Sequence, residues 1–151
     1  MPVFVSAATF KGKPCVHIGN DSISIHVLTG GGHIAAVAAP GVDFNPLWEP
    51  QWDSVPPALR KLVGSQFSQT EEDRLESELL ACIAGHNLCC DVFGSHSAGE
   101  VKCGASFHGE AGLVTWTVID HVSIKNFLLC SACWLVLVLY LLQQFGRHDY
   151  N

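Results

Sequence analysis

Positive charge is scarce in this chain. Its 151 residues include eight Lys+Arg against fourteen Asp+Glu, a formal net charge of -6 at pH 7. With so few cations, no broad positive field forms that would gather phosphates or an anionic bilayer surface. We therefore expect no nucleic-acid partner.

Several sequence signatures are also missing. The run Gly30-Gly31-Gly32 is followed by neither Lys-Ser nor Lys-Thr, so it does not fit the nucleotide-binding loops, and no Gly-x-Ser-x-Gly marks a hydrolase nucleophile. The first residues place Lys11 and Lys13 after a short apolar stretch, whereas a secretory signal has its positive charge first. The seven cysteines are odd in number and irregularly spaced. We expect reduced thiols and a cytoplasmic protein.

A metal site is not expected either. Cys130 and Cys133 have the gap of many zinc sites, and His86 lies close to Cys89 and Cys90 in the chain. Zinc normally takes two such pairs, or one pair with suitably spaced histidines. The pair at 130 and 133 also lies inside an apolar run, where thiols behave as small hydrophobic groups. We predict no metal and no cofactor.

Periodicity predicts a mainly β protein. With 48% hydrophobic residues the chain can bury a core. Residues 22–28 and 33–39 read as two strands joined by a tight glycine turn, and the alternation over 113–119 predicts another strand. The proline-rich stretch 40–57 predicts an ordered loop, because Trp48 and Trp52 are poor choices for a free linker.

One helix is predicted between these strands. Ser68 and Glu71 form a capping-box pattern, leucines follow on one face, and Gly85 is a plausible stop. The following residues 86–94 suit a strand or a buried connection, and 94–104 reads as a loop. Residues 1–120 are thus predicted to form a β domain with one inserted helix.

A separate tail is predicted over residues 121–151. Its segment 127–142 is apolar apart from one serine, which predicts a C-terminal hydrophobic helix. The run is slightly shorter than the roughly 20 residues of a typical spanning helix, but polar flanks can compensate. It is therefore a candidate membrane helix, with the membrane as a partner.

The stretch 106–116 carries the main chemical candidates. On a strand, His108 and Glu110 would face the same side, and in a turn their tips could converge on one small ligand. An imidazole with a carboxylate is the usual pair for moving protons near neutral pH. The alternative is a structural role, since short motifs match by chance. Trp48 and Trp52 suit either stacking on a sugar ring or packing, and Trp116 suits core packing.

Isolated histidines elsewhere receive a structural interpretation. His17, His26 and His33 occur singly on strand-like stretches. We expect each to be a surface histidine or a core histidine with its hydrogen bonds satisfied, and not a ligand.

Five short segments in order resemble the N-terminal part of the aldose 1-epimerase-like (galactose mutarotase-like) proteins. They are Gly31-Gly32-His33-Ile34-Ala35, Asn45-Pro46-Leu47-Trp48, Gly85-His86-Asn87-Leu88-Cys89, Phe93-Gly94, and His108-Gly109-Glu110-Ala111 before Trp116. The resemblance spans about Ser22 to Val118. It implies a β-sandwich, here partial, whose concave face binds a sugar and whose acid and base interconvert the α and β anomers without a cofactor.

The resemblance also implies roles for individual residues. His108 would hold the sugar near its ring oxygen, while His86 and Asn87 would lie near the site and Glu110 would have a variable role. The second histidine and catalytic glutamate of the family have no counterpart after Val118. We therefore expect a truncated form and not a working enzyme. The alternatives are a non-catalytic carbohydrate-binding or interaction module and a protein anchored to a membrane by one helix.

Overall fold

The computed structural model describes residues 3–64, 70–89, 93–94, 97–103, 105–118, 121–124 and 127–130. The chain forms a small, mainly β domain built on a four-stranded antiparallel sheet in the order β1-β2-β3-β4. The strands are β1 (Phe4–Phe10), β2 (Lys13–Gly19), β3 (Ser24–Leu28) and β4 (Ile34–Ala38). The predicted mainly β class is confirmed, and so are the two strands predicted at 22–28 and 33–39.

Tight connections set the register of the sheet. Lys11 and Gly12, both with positive φ, join β1 to β2, as two-residue hairpin turns require. Gly31 and Gly32 adopt φ of 79° and 63° between β3 and β4, a conformation that glycine reaches without steric cost. Sequence reasoning predicted no strand over β1, because the small residues in its middle blur the alternation, and in β2 it noted only a strand-like stretch around His17.

Two apolar clusters organise the sheet. In the first, Ile18, Ile25 and Val27 are buried, and partly buried residues of β1, β2 and β4 pack against them. Alternation along the strands puts the second cluster on the opposite face, where Cys15, Leu28, Ala35 and Ala84 are buried. The second cluster includes a residue from beyond the sheet, so it links β2, β3 and β4 to the segment that follows the main helix.

Helices cover part of this fold. A 3-10 turn at Pro57–Leu59 leads into α1 (Arg60–Gly64), and α2 spans Glu71–Cys82. The predicted helix is confirmed as α2, while its predicted cap Ser68 lies outside the described residues. Glu78 of α2 is buried and forms ion pairs with Arg60 and Arg74, which joins α1 to α2.

Two local predictions were wrong. Within the predicted loop 94–104, residues Ala98–Lys102 form α3, because Ser97 and Glu100 make a reciprocal capping box that we did not recognise in the sequence. Within the described residues 113–118, the predicted strand over 113–119 is a 3-10 turn at Ala111–Leu113 followed by chain that belongs to no strand, and Ile119 lies outside the described part. That chain makes one isolated bridge, between Thr115 and Gly30. A glycine turn offers no further partner for a ladder, so local alternation does not become a strand.

The start of the apolar tail also differs from its prediction. Residues Phe127–Cys130 form strand β6, paired antiparallel with β5 (His121–Ile124), where a helix over 127–142 was predicted. A backbone ladder to β5 accounts for the strand, and residues 131–142 lie outside the described part of the chain. Among the described residues, none belongs to a helix long and apolar enough to cross a bilayer.

Candidate functional site

The turn that carries His108 is fastened to α2 by apolar packing. Phe107 and Leu113, on either side of the turn, pack with Leu79 and Cys82 of the helix. Leu79, Cys82 and Leu113 are all nearly inaccessible to solvent. The turn is closed by two backbone hydrogen bonds of 2.9 Å, from Gly109 to Ser106 and from Leu113 to Glu110. The position of His108 is therefore set by the hydrophobic core.

His108 and Gly109 do not lie on a strand. Their φ angles are 59° and 83°, so both are in the left-handed region, which is common for glycine and uncommon for histidine. The strand arrangement of His108 and Glu110 is therefore not formed, because alternation of side chains requires extended backbone, and the structure has a turn here, the alternative expectation. Glu110 is exposed at the start of the 3-10 turn and forms no ion pair with a described residue.

The half-buried imidazole of His108 is held at its Nδ1 atom. The backbone N–H of Gly94 donates to Nδ1 at 3.3 Å, and the thiol of Cys89 lies 3.1 Å from the same atom. The rings of Phe107 and Phe93 meet the imidazole edge-on, with centroids 4.6 and 5.4 Å away. Phe93 is 87% exposed, so an apolar face lies open beside the histidine.

Asn87 and His86 reach this region in different ways. The backbone of His86 pairs with Ile34 at the end of β4, with N···O distances of 2.9 and 3.3 Å, and its side chain is exposed. Asn87 points inward, where its Nδ2 lies 3.9 Å from the Sγ of Cys89. Asn87 and His108 therefore both approach Cys89, whereas the structure records no contact between His86 and His108.

A buried histidine that sequence reasoning did not assign lies next to Asn87. His33 is 0% exposed, and neither ring nitrogen has a hydrogen bond of good geometry within the described residues. The buried Oδ1 of Asn87 is equally without a partner. A Cβ built on Gly112 would lie 2.6 Å from this Oδ1 and 3.3 Å from the His33 Cε1. The expectation of a satisfied core histidine is therefore wrong at His33.

Burial controls the ionisation of these groups. It lowers the pKa of His33 from 6.5 to about 4, an effect that the nearby Gly112 carbonyl partly offsets and His86 reinforces. Burial also raises the pKa of Cys89, and it raises that of Cys82 to about 11. The thiol of Cys89 is thus biased toward its protonated form, in which S–H is a weak donor to the Nδ1 of His108.

The two histidines of the sheet strands contact each other. His17 and His26 stack with ring centroids 4.2 Å apart, and Phe4 and Phe10 contact the two rings from the flanking strand. Burial, and then the neighbouring His17, lowers the pKa of His26. Both imidazoles are half-buried, and Nε2 of His17 and Nδ1 of His26 are buried without a hydrogen-bond partner among the described residues.

The clefts at 10–13 with 49–54 and at 13–14 with 55–57 contain none of the predicted site residues His86, Asn87, His108 and Glu110. Within the described residues, no three His, Cys, Asp or Glu side chains are grouped to hold a metal ion. No protein family, curated protein or solved structure matches this chain.

Proposed function

We propose that this chain is an aldose 1-epimerase-like protein that binds a neutral monosaccharide at the His108 turn. One observation carries the proposal: Nδ1 of His108 accepts the N–H of Gly94. A backbone N–H can only donate, so the neutral imidazole must carry its proton on the other nitrogen. Nε2–H is then a hydrogen-bond donor held in a defined direction, as a sugar ring oxygen or hydroxyl requires.

The surroundings of His108 support a sugar as the ligand. Sugars present C–H faces as well as hydroxyls, and they suit sites that combine an aromatic surface with a few oriented polar groups. Phe93 offers an exposed ring against the imidazole, and two residues away Glu110 offers an exposed carboxylate that pairs with no cation of the described residues. Asn87 would act from behind, because its amide lies near the thiol that contacts Nδ1.

The proposal is for binding, with slow or no anomer interconversion. Ring opening needs a base at the anomeric hydroxyl and an acid at the ring oxygen, each within hydrogen-bond reach. Glu110 is attached beside His108 and does not face it across a ligand. A sugar held by this turn would therefore receive a donor without a matching base.

Binding is tested by titrating the chain with galactose and with glucose while two-dimensional NMR spectra record the chemical shifts of the backbone amides. We expect a dissociation constant near the millimolar range, with shifts centred on the His108 turn. His108→Ala removes one neutral hydrogen bond and is expected to weaken binding between about two- and tenfold. The matched control is His17→Ala, which removes another half-buried imidazole from the sheet and should leave the affinity unchanged.

Two further measurements address the mechanism. Long-range ¹⁵N–¹H correlation spectra identify the tautomer of a histidine, and a proton on Nδ1 of His108 in its neutral form would refute the argument. The interconversion of freshly dissolved α-galactose is followed by ¹H NMR. A rate above that of buffer alone, abolished in His108→Ala, would show that the chain is a catalyst and not only a binding protein.

A further inference from the structure

A polar cleft lies away from the His108 turn. Its volume is about 110 Å³, and it lies between the β1–β2 turn, the proline-rich loop and the segment after α2. Residues lining it include Lys11, Glu49, Trp52, Asp53 and Ser54.

Three attachments hold the walls of the cleft in place. The side chain of Asn45 accepts the N–H of Val37 and donates to the carbonyl of Ala35, which joins the proline-rich loop to β4. The indole N–H of Trp52 donates to the carbonyl of Leu80 at 3.1 Å, which fixes that ring against α2. The cleft is therefore preformed, which reduces the ordering cost of binding.

The mouth of the cleft is charged but balanced. Lys11 and Lys13 oppose Glu49 and Asp53, and Lys11 pairs with Glu49. This lysine, and the amide of Asn45, lower the pKa of Glu49, so its carboxylate is ionised at neutral pH. Recognition of a phosphate or carboxylate favours an excess of positive charge, and the cleft has none. The balance favours a neutral ligand.

The interior of the cleft has an unused hydroxyl over an apolar floor. Ser54 is 7% exposed, lines the cleft, and has no hydrogen bond to any described residue. Below it lie Ala35 and Ala84, which belong to the buried core. Its Oγ is not one of the buried side-chain atoms that lack a partner, so the hydroxyl is accessible from the cleft, where it can both donate to and accept from a ligand. Trp52, 46% exposed, adds an aromatic wall.

We infer that this cleft binds a neutral polyhydroxylated ligand, a single sugar ring or a short polyol. Ser54 and Asp53 would bond its hydroxyls, and Trp52 would contact its C–H groups. The cleft is small against the roughly 300–1,000 Å³ of pockets for drug-sized ligands, which suits one edge of one ring and not an oligosaccharide. The inference stands independently of the proposal for the His108 turn, although both involve sugars.

The experiment is an NMR titration of the full chain with galactose, glucose and glycerol, and separately with inorganic phosphate. Each ligand is taken to about 100 mM, well above the millimolar constant expected of one ring. We expect polyols to shift the indole N–H signal of Trp52 and the amide of Ser54. Ser54→Ala should lower the affinity for polyols, read from the concentration dependence of these shifts, between about two- and tenfold, and Trp52→Ala should abolish binding. Ser6→Ala, an exposed serine on β1, is the matched control and should behave as the wild type.

The two sites give separable outcomes. Polyol shifts at Trp52 and Ser54 that persist in His108→Ala support the cleft. Shifts confined to the His108 turn would overturn the inference and leave the proposed function standing. A response of the cleft to phosphate, but to no polyol, would overturn the argument from charge balance. If Trp52→Ala is unfolded, Ser54→Ala alone decides, and full polyol affinity in that variant refutes the role of the hydroxyl.

Discussion

Acidification is expected to destabilise this fold through His33. The folded state holds the imidazole at 0% exposure, where burial lowers its pKa to about 4, whereas an exposed histidine has a value of 6.5. Between these two values the unfolded chain binds a proton that the folded chain does not. Stability from this group is therefore fully present above pH 6.5 and is lost as the pH falls toward 4.

The size of the effect follows from the pKa difference. Each unit is worth about 1.4 kcal/mol, so the shift at His33 amounts to about 3 kcal/mol when complete. Much of this stability is lost in the first part of the acidification. Between pH 7 and pH 5 the free energy of unfolding is expected to fall by about 2 kcal/mol. That is a large part of the stability of a small domain.

Urea denaturation at pH 7 and at pH 5 measures this loss, with His33→Gln compared with the wild type. The variant cannot titrate at this position, so its stability should fall by about 2 kcal/mol less than the wild type over the same interval. The lowered pKa of His26 acts in both proteins and cancels in the comparison. An NMR titration of the folded wild type gives an independent check: a His33 midpoint near 6.5 would refute the reasoning, even if the variant does not fold.

Three further outcomes are expected. Gly112→Ala should cost about 1–3 kcal/mol of stability, because its Cβ would overlap a buried amide oxygen. Gly99→Ala in α3 should cost nothing, because its Cβ would make only an ordinary contact with Ser97, and equal effects of the two variants in chemical denaturation would contradict this. Glu78→Gln should cost about 2 kcal/mol by the same measurement, since it weakens two charge-assisted contacts at a buried carboxylate; an unchanged midpoint would count against the ion pairs. At pH 8, iodoacetamide should modify exposed Cys103 well before Cys82, which is buried and has a pKa of about 11, as measured by peptide mass spectrometry. The reverse order would refute the burial of Cys82.

The local elements predicted correctly are those with local causes. Alternation identified β3 and β4, and the glycines between them identified their tight turn. The leucine face and acidic first turn identified α2. Prediction failed where a pattern depended on a partner distant in the chain. Residues 113–119 alternate, but Thr115 pairs with Gly30 in a turn, which supports one bridge and no ladder.

The candidate site shows the same division. The sequence singled out His108 for its chemistry, and the resemblance placed Asn87 near it. The structure brings both to Cys89, a residue that no local signal had marked for this role. His33 was predicted to be a surface histidine or a satisfied core histidine. Its burial without hydrogen-bond partners among the described residues could not be foreseen, because it arises only when the start of β4 and the 107–113 turn come together. Its position directly after two positive-φ glycines was the available signal.

The sequence by itself determined the antiparallel pairing of β3 with β4, the position of α2 and the presence of an imidazole beside a glycine at 108–109, because each depends on residues close in the chain. Only the tertiary structure decided what that imidazole can do. Its Nδ1 is held by groups 14 and 19 residues away, and this contact, made through core packing, leaves Nε2 as the nitrogen that carries the proton of the neutral ring. The cleft around Ser54 likewise exists only because a hairpin, a loop and the chain after a helix converge on one volume.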